Sequence, residues 1–538
     1  MDALKFHNIL QTVCAYVPEP PFPVAPSSRY NGSGYVVNHT AGAGDDGSSY
    51  ASIRYLATRC SPAFLSAMSE SGEDHISALP DDLRLNIVSR LPLKDAGRTS
   101  VLSKGWRGIW QGNSLIFRDD QLTRTGWRLS FDDSSLVESV SSFLESYQGR
   151  FGWIHLLFDY VKYHGEVAKW LQLFADKGVE TLVLINKAVL LPKLPATILS
   201  CSNLRRLYLG LWQFPDTTGL TCNRAVFPFL EELGICHTIM QDHDFEYLLA
   251  CSPCLKIINF VQSHSSPSRV CITSHSLSKV VLWLSTVEEL TVVTATRLQR
   301  LILEPGTTAI SGNTNLIIGY VPHLDVLGYL HMANPPTFVT TIENVRPDGM
   351  VPSVRVIALK VCFGVAREVR RLMGFLRCFP HVEALHVRVL TTSLLDEVNG
   401  ELSSTFWQDV APPECIESHV AKVVIDQTTM EGNELQFIKL LLERAEVLRQ
   451  MVLVLPSATS EMKMQAATDN MAKQRANGVS CSEVRMLQCL RGPSSSGAPD
   501  ISASDPFPVP KGRTVFWSPG VGAKNLRWLD TIVEEENK

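Results

Sequence analysis

The sequence predicts an α/β protein: a compact three-helix unit near the N-terminus, then an irregular repeat solenoid whose parallel sheet is backed by helices and loops, closed by a strand–helix–strand segment. Three observations predict it. Helix-start signals crowd into residues 74–118, a short aliphatic motif returns at even steps between about 150 and 390, and a helical apolar pattern separates two aliphatic runs after Pro412. Length and composition agree. A chain of 538 residues is more than one small fold uses, and 45% apolar with 19% charged residues can bury a sizeable core.

Charge and targeting signals narrow the function classes. With 49 Lys and Arg against 54 Asp and Glu, the net charge of −5 creates no global field for nucleic acid or anionic membrane, and neither is expected as a partner. No run of eighteen apolar residues appears, and MDALKFHNILQTVCAYVPEP lacks the basic start and unbroken apolar stretch of a secretory signal. The expected location is therefore the cytoplasm or nucleus. The 13 scattered cysteines then read as reduced thiols, and the sequons at Asn31 and Asn38 carry no meaning.

Taken in order, residues 1–73 are expected to be a disordered leader. PEPPFPVAPSS, NGSG and AGAGDDGSS offer too few apolar clusters to offset the entropy of ordering. The character changes at Asp74. Pro80 followed by Asp81 and Asp82 suits a first helical turn, and Leu83, Ile87 and Leu91 then fall four apart on one face. Pro92 stops that helix, Asp95 is placed to cap a second, and Ser103 to cap a third carrying Trp106, Ile109 and Trp110. A unit this small cannot bury all its Leu and Trp by itself, so part of that surface serves either a partner or the next domain.

These residues resemble an F-box. The pattern is met at Ile76, Leu79, Pro80, Leu83, Ile87, Val88, Leu91, Pro92, Asp95, Ala96, Thr99, Ser100, Leu102, Ser103, Trp106, Arg107, Ile109 and Trp110, with Arg84, Val88 and Gly105 as mild departures. The resemblance implies docking on a SKP-type linker that joins a cullin and RING ubiquitin ligase. It assigns Leu79, Pro80, Leu83, Ile87, Leu91, Pro92, Val101, Leu102, Trp106 and Trp110 as anchors of that contact or the bundle core behind them. Seven basic and four acidic residues in 74–118 give a local positive face suited to an acidic linker.

From about 150 to 390 the motif L-x-x-L-x-L begins at Val179, Leu204, Leu230, Leu255, Leu277, Leu298, Leu324, Val354 and Val382, in steps of 25, 26, 25, 22, 21, 26, 30 and 28. Even spacing, with Leu at the central position of six of them, marks leucine-rich repeats over residues 119–411. A further match at Val287 falls out of step and reads as chance. In such a repeat the Leu positions turn inward, alternate residues line the concave sheet face, and short helices and loops form the convex side. No steady Asn ladder is present, so the horseshoe is expected to be uneven. The outward set includes Arg206, Tyr208, Glu232, Asn259, Lys279, Arg300 and His386, with Trp212 and Trp283 just beyond two strands. Mixed charge with large aromatics suits a protein-binding surface.

After Pro412, PPECIESHVAKVVIDQTTMEGNELQFIKLLLERAEVLRQMVLVL looks like the FBD domain that follows leucine-rich repeats in a large plant F-box family, and it carries the segment 412–490. It reads as strand 420–425, helix 433–450 and strand 451–455, a crossover that extends and caps the repeat sheet. The Pro/Ser-rich tail 491–538 is expected to be mostly disordered, with a short helix near Asn525 to Val533.

No P-loop, HExxH, nucleophile elbow or Rossmann glycine pattern is found. Cys251 and Cys254 form one CxxC, but Cys222, Cys236 and His237 are poorly spaced to complete a zinc site, so no metal or cofactor is expected and both sulfurs read as buried. The expectation is a non-catalytic adaptor of a ubiquitin ligase, with the F-box on the linker and the repeat surface on a target protein. A linker-binding scaffold outside any ligase and a ligand-gated repeat receptor stay open as alternatives.

Overall fold

The computed structural model describes residues 3–18, most of 76–109, 115–118, 134–222, 225–264, 266–304, 314–338, 350–390, 402–476, 481–489 except 482, 500–510 and 512–518. The chain divides into two compact units, Met1–Cys254 and Leu255–Lys538.

In the first unit, helices Asp81–Ser89 and Leu93–Arg98 and a 3-10 turn at Thr99–Val101 form the small N-terminal bundle. The carbonyl of Pro80 accepts from the amides of Leu83 (3.0 Å) and Arg84 (3.1 Å), which starts the first helix where the proline and the two aspartates direct it. The second starts at Leu93, two residues before the expected cap at Asp95. The third expected helix is replaced, among the described residues, by turns through Trp106 N–H to Ser103 O and Ile109 N–H to Trp106 O. Gly105 sits in what would be its first turn, where glycine lowers helix stability by about 1 kcal/mol.

Five parallel strands follow: β1 (Leu115–Arg118), β2 (Phe151–Phe158), β3 (Thr181–Asn186), β4 (Arg206–Gly210) and β5 (Glu232–Cys236). Leu182, Leu207 and Leu233 stand in register and are fully buried, so each inward leucine stacks on the next. Each contributes about 1.5–3 kcal/mol of burial. Helices Ser134–Ser146 and His164–Asp176 lie between these strands in the chain and Asp242–Ala250 follows β5, as the repeat pattern requires.

The second unit continues the pattern with β6 (Ile257–Val261), β8 (Lys279–Trp283), β10 (Arg300–Glu304), β12 (Val326–His331), β14 (Val356–Val361), β15 (Ala384–Val389), β16 (Lys422–Asp426), β17 (Gln450–Leu455) and β18 (Glu483–Cys489), each parallel to the next, and β19 (Gly512–Ser518) antiparallel at the edge. All nine aliphatic motifs precede a strand, and in each the strand begins two residues after the motif does.

The match at Val287 is a tenth. β9 (Glu289–Ala295) begins two residues after it and belongs to a second parallel sheet with β7 (Arg269–Ser274), β11 (Asn315–Tyr320) and β13 (Thr337–Phe338). The motif there, expected to be a chance match, is out of step with the strands of the first sheet. Its residues satisfy a different one. In this stretch the repeats therefore carry strands where helices and loops were expected.

The FBD-like segment folds as strand, helix (Gly432–Arg444) and strand, and β16 and β17 extend the parallel sheet. Its helix ends at Arg444 rather than 450, where Ala445 turns to an extended ψ of 100°. A recurrent turn leaves the strands. Leu211, His237, Gln262, Leu284 and Gln427, each one residue past a strand, hold φ between 45° and 64°. A left-handed non-glycine residue costs about 1–2 kcal/mol, and neighbouring strands offset it through hydrogen bonds such as Leu211 N–H to Cys236 O at 2.9 Å and Gln262 N–H to Trp283 O at 3.1 Å. The next residue is often a buried hydroxyl: Thr238, Ser263, Ser285 and Thr428. Thr238 Oγ1 donates to Leu209 O and Cys236 O at 3.1 Å each, and Ser285 Oγ accepts from Ser263 N–H at 3.0 Å. Hydroxyls do the work that an asparagine ladder does in regular repeats.

Candidate functional site

Two kinds of docking surface were expected, and they are built differently. On the small bundle, Val88, Ala96 and Trp106 are buried and form its core. Leu83 (52% exposed), Ile87 (39%), Val101 (85%), Leu102 (58%) and Ile76 (56%) stand in solvent. Leu79 and Leu91 are half-buried and Pro80 is exposed. Of the two roles expected for this set, anchor or core behind it, Trp106 takes the second: it is 1% exposed. Pro92 and Trp110 lie outside the described residues. The departures Arg84 and Gly105 belong together. The Arg84 guanidinium is 5.9 Å from the Trp106 ring centroid, and its Nη1 lies 2.5 Å from where a Cβ on Gly105 would be.

The outward sheet face of the first unit is not open. Residues 3–16, expected to be disordered, form a helix (Ala3–Tyr16) whose Phe6, Ile9, Leu10 and Val13 are buried, as is Val17 just beyond it. Val13 reaches Gly210, where its methyl lies 2.9 Å from the position of an absent Cβ. Tyr208 and Tyr16 are close enough that burial and each other's surroundings, Glu232 and Cys236 among them, push both phenols well above the ordinary value. Gly234 is required here, because the Tyr208 ring occupies the space a Cβ would take, and the Tyr208 hydroxyl donates to Glu232. Arg206 stays exposed in an ion pair with Glu232 at 3.4 Å. Trp212 is corrected to core: fully buried, its Nε1 donates to Leu184 O at 3.1 Å and its ring lies 4.7 Å from Tyr160.

In the second unit Asn259 (1% exposed) and Trp283 (9%) are likewise buried and present nothing to a partner; Trp283 lies within β8, not beyond it. Lys279, Arg300 and His386 do line the outward face, and the chain's own segment 500–510 crosses it. Lys279 Nζ donates to Ile501 O at 2.8 Å and Arg300 to Ala503 O. His386 Nε2 donates to Asp505 Oδ2 at 2.9 Å, and Lys422 Nζ to the same oxygen at 2.6 Å. Phe507 is buried with its ring 4.9 Å from Tyr329 and 5.2 Å from His386. The tail expected to be disordered is therefore ordered over these residues and over β19, while the helix expected near Asn525 lies outside the described residues. Burial opposes ionisation of Asp505, but hydrogen bonding and charge from His386 and then Lys422 prevail and hold its carboxyl well below the usual range.

Behind the strap lies a buried ionic group. Glu304 accepts from Lys360 Nζ at 3.0 Å and Arg388 Nη1 at 2.7 Å, Arg388 Nε donates to Asp426 Oδ2 at 3.1 Å, and the guanidinium sits 4.6 Å from the Tyr329 centroid. Every charge there has an opposite within hydrogen-bond reach, which such burial demands.

Other chemistry resolves into structure. Among the described residues Asp216, His243 and Asp244 bring potential metal ligands together, yet Asp244 already accepts from Thr217 N–H (2.8 Å) and Oγ1 (2.7 Å) and closes a capping box with Gln241. Cys222 and Cys251 are paired as a disulfide, and Cys254 is exposed, which corrects the expectation of thiols for the first two and of burial for the last. Of the two covering segments only the helix was readable in principle, since Phe6, Ile9, Leu10, Val13 and Val17 hold helical spacing, whereas no period gives the turns of residues 501–505.

Comparison with known proteins agrees with this layout. A profile described as F-box domain matches residues 76–118, one described as FBD-associated F-box protein At5g56370, LRR repeats, matches 167–387, and an FBD profile matches 408–453. The chain is similar to three Arabidopsis thaliana proteins. It is 29% identical to FBD-associated F-box protein At5g56370 over 37% of this chain and 45% of that one. It is 24% identical to F-box/FBD/LRR-repeat protein At1g13570 over 73% and 93%. It is 31% identical to F-box/LRR-repeat protein At3g26922 over 29% and 49%. The matches thus span about half of the first and third relatives and nearly all of the second.

Proposed function

The chain belongs to the plant family of F-box, leucine-rich-repeat and FBD proteins, and on that premise we propose that it is the substrate-recognition subunit of a SKP-linker, cullin and RING ubiquitin ligase. The observation that carries this reading is the exposed apolar set Leu83, Ile87, Val101 and Leu102 on the F-box, held from behind by buried Val88 and Trp106. A side chain such as Val101, 85% exposed, gains nothing in the isolated protein and gains burial against a linker.

The repeat region carries the target contact, and catalysis belongs to other subunits. The protein's own contribution is proximity: holding a target lysine near a charged conjugating enzyme raises effective concentration with no active-site residue here. The cytoplasm or nucleus is the proposed location; among the described residues no helix is long and apolar enough to cross a membrane.

The test is co-purification of the wild type and a Leu79→Ala, Pro80→Ala double variant with a SKP-type linker and cullin. Wild type is expected to bring down both and the variant neither. A folded wild type that binds neither would overturn the reading, and a stable linker complex that excludes cullin would replace it with a scaffold outside the ligase.

A further inference from the structure

The strap Asp500–Pro510 touches the second unit's outward face as a ligand touches a site. Its first half is a turn, closed by Ala503 N–H to Asp500 O and Asp500 N–H to Pro506 O at 3.2 Å each, which brings successive groups to the face. The backbone carbonyls of Ile501 and Ala503 take Lys279 and Arg300, the Asp505 carboxylate takes His386 and Lys422, Phe507 enters beside Tyr329, and Val509 packs on the cluster Val424, Val452, Val454, Leu487 and Cys489. The first two contacts read any peptide. The next two read a carboxylate and an aromatic ring two residues apart.

The face is shaped for that ring. Phe507 Cζ lies 2.8 Å from where a Cβ on Gly328 would be, and that same Cβ would stand 2.6 Å from the Ala358 methyl, so two small residues in neighbouring strands leave the ring its space. It is also charged for the carboxylate. The outward positions of β8 to β16 carry five cations, Lys279, Arg300, Lys360, Arg388 and Lys422, against the carboxylates Glu304 and Asp426, and those two are committed to Lys360 and Arg388. What the face lacks, an anion near Lys422 and His386, the strap supplies.

We propose that this face is a binding site for an acidic–aromatic protein segment of the form Asp-Pro-Phe, that the strap is its resident occupant, and that a target presenting the same carboxylate and ring enters by displacing it. The inference rests on the target-binding reading of the repeat region and names the chemistry of the target. Because the strap is tethered, its effective concentration is on the order of millimolar, so modest intrinsic affinity keeps it in place and a target must exceed that threshold.

The test uses the full chain and a fluorescent peptide of the strap's own sequence, ISASDPFPVP. The chain carrying Asp505→Ala and Phe507→Ala in its strap is expected to bind the added peptide at least about tenfold more tightly than wild type does, while a peptide bearing the same two changes binds neither. A peptide that binds wild type and variant alike, or neither, overturns the proposal and leaves the strap a structural brace. Should the double variant fail to fold, Asp505→Asn serves. It keeps the size and removes the charge, and unchanged peptide affinity there also overturns the proposal. Linker co-purification is read on the same samples: loss of peptide binding alone sinks the strap proposal, and loss of linker binding alone sinks the adaptor reading.

Discussion

The F-box and the repeat faces were both expected to be open docking surfaces; among the described residues much of the repeat faces is covered and the F-box set is open. Its Leu83, Ile87, Val101 and Leu102 stand in solvent over a buried core, whereas Tyr208 in the first unit and His386 in the second are covered by the chain's own ends. The difference is one of area and chemistry. A few exposed aliphatics on a small bundle are tolerable. A sheet face that carries a buried Glu304, Lys360 and Arg388 cannot be left wet on one side and keep those contacts strong, so a strap that excludes water belongs to its design.

The sharpest way to break that contrast is Glu304→Ala. It leaves Lys360 and Arg388 without their shared carboxylate, and denaturant unfolding of the second unit should show a loss of about 3–5 kcal/mol. A loss below about 1 kcal/mol would mean that the face is wetted and that its covering is incidental. On the other side of the comparison, Leu83→Ala with Ile87→Ala should cost about 2–4 kcal/mol of linker affinity by calorimetry while moving stability by less than about 0.5 kcal/mol, since both side chains are exposed. An equal loss of stability would show that they belong to the fold instead.

Val13→Asp should lift the N-terminal helix from Gly210 at a cost on the order of 1–3 kcal/mol to the first unit. Amide exchange should then quicken at Tyr208 and Glu232 with linker affinity unchanged. A tenfold loss of linker affinity would tie the helix to the F-box. The smallest effect is in pH. Asp505 has a carboxyl pKa depressed in the folded state, so its contribution is fully present above the ordinary value of 3.8 and declines as the pH falls below it toward the folded value. Strap protection should hold from neutrality to about pH 4 and weaken only beneath that; loss between pH 7 and 5 would assign the contact to another group.

Local pattern carried far in this chain. Each strand that the nine evenly spaced L-x-x-L-x-L motifs announced is present with a constant offset of two, because inward leucines every second residue can be satisfied only by a pleated strand stacked on its neighbours. Val287 shows where spacing misleads: the motif was sound and the assumption of a single sheet was not. Trp212 and Trp283 show the same for exposure, since a strand's period says which face a side chain takes but not whether that face is covered.

The amino-acid sequence by itself thus determined the order of the regions, the F-box with its exposed aliphatics, and the inward rows of the sheets, all of which depend on residues close together in the chain. Only the tertiary structure decided that Ala3–Tyr16 covers one outward face and Asp500–Pro510 another, and that Glu304 meets Arg388. These contacts join residues far apart in the chain, 222 positions for Lys279 with Ile501. No local period encodes them; they exist because a sheet face with small residues and unmatched cations is lower in free energy when something complementary lies across it.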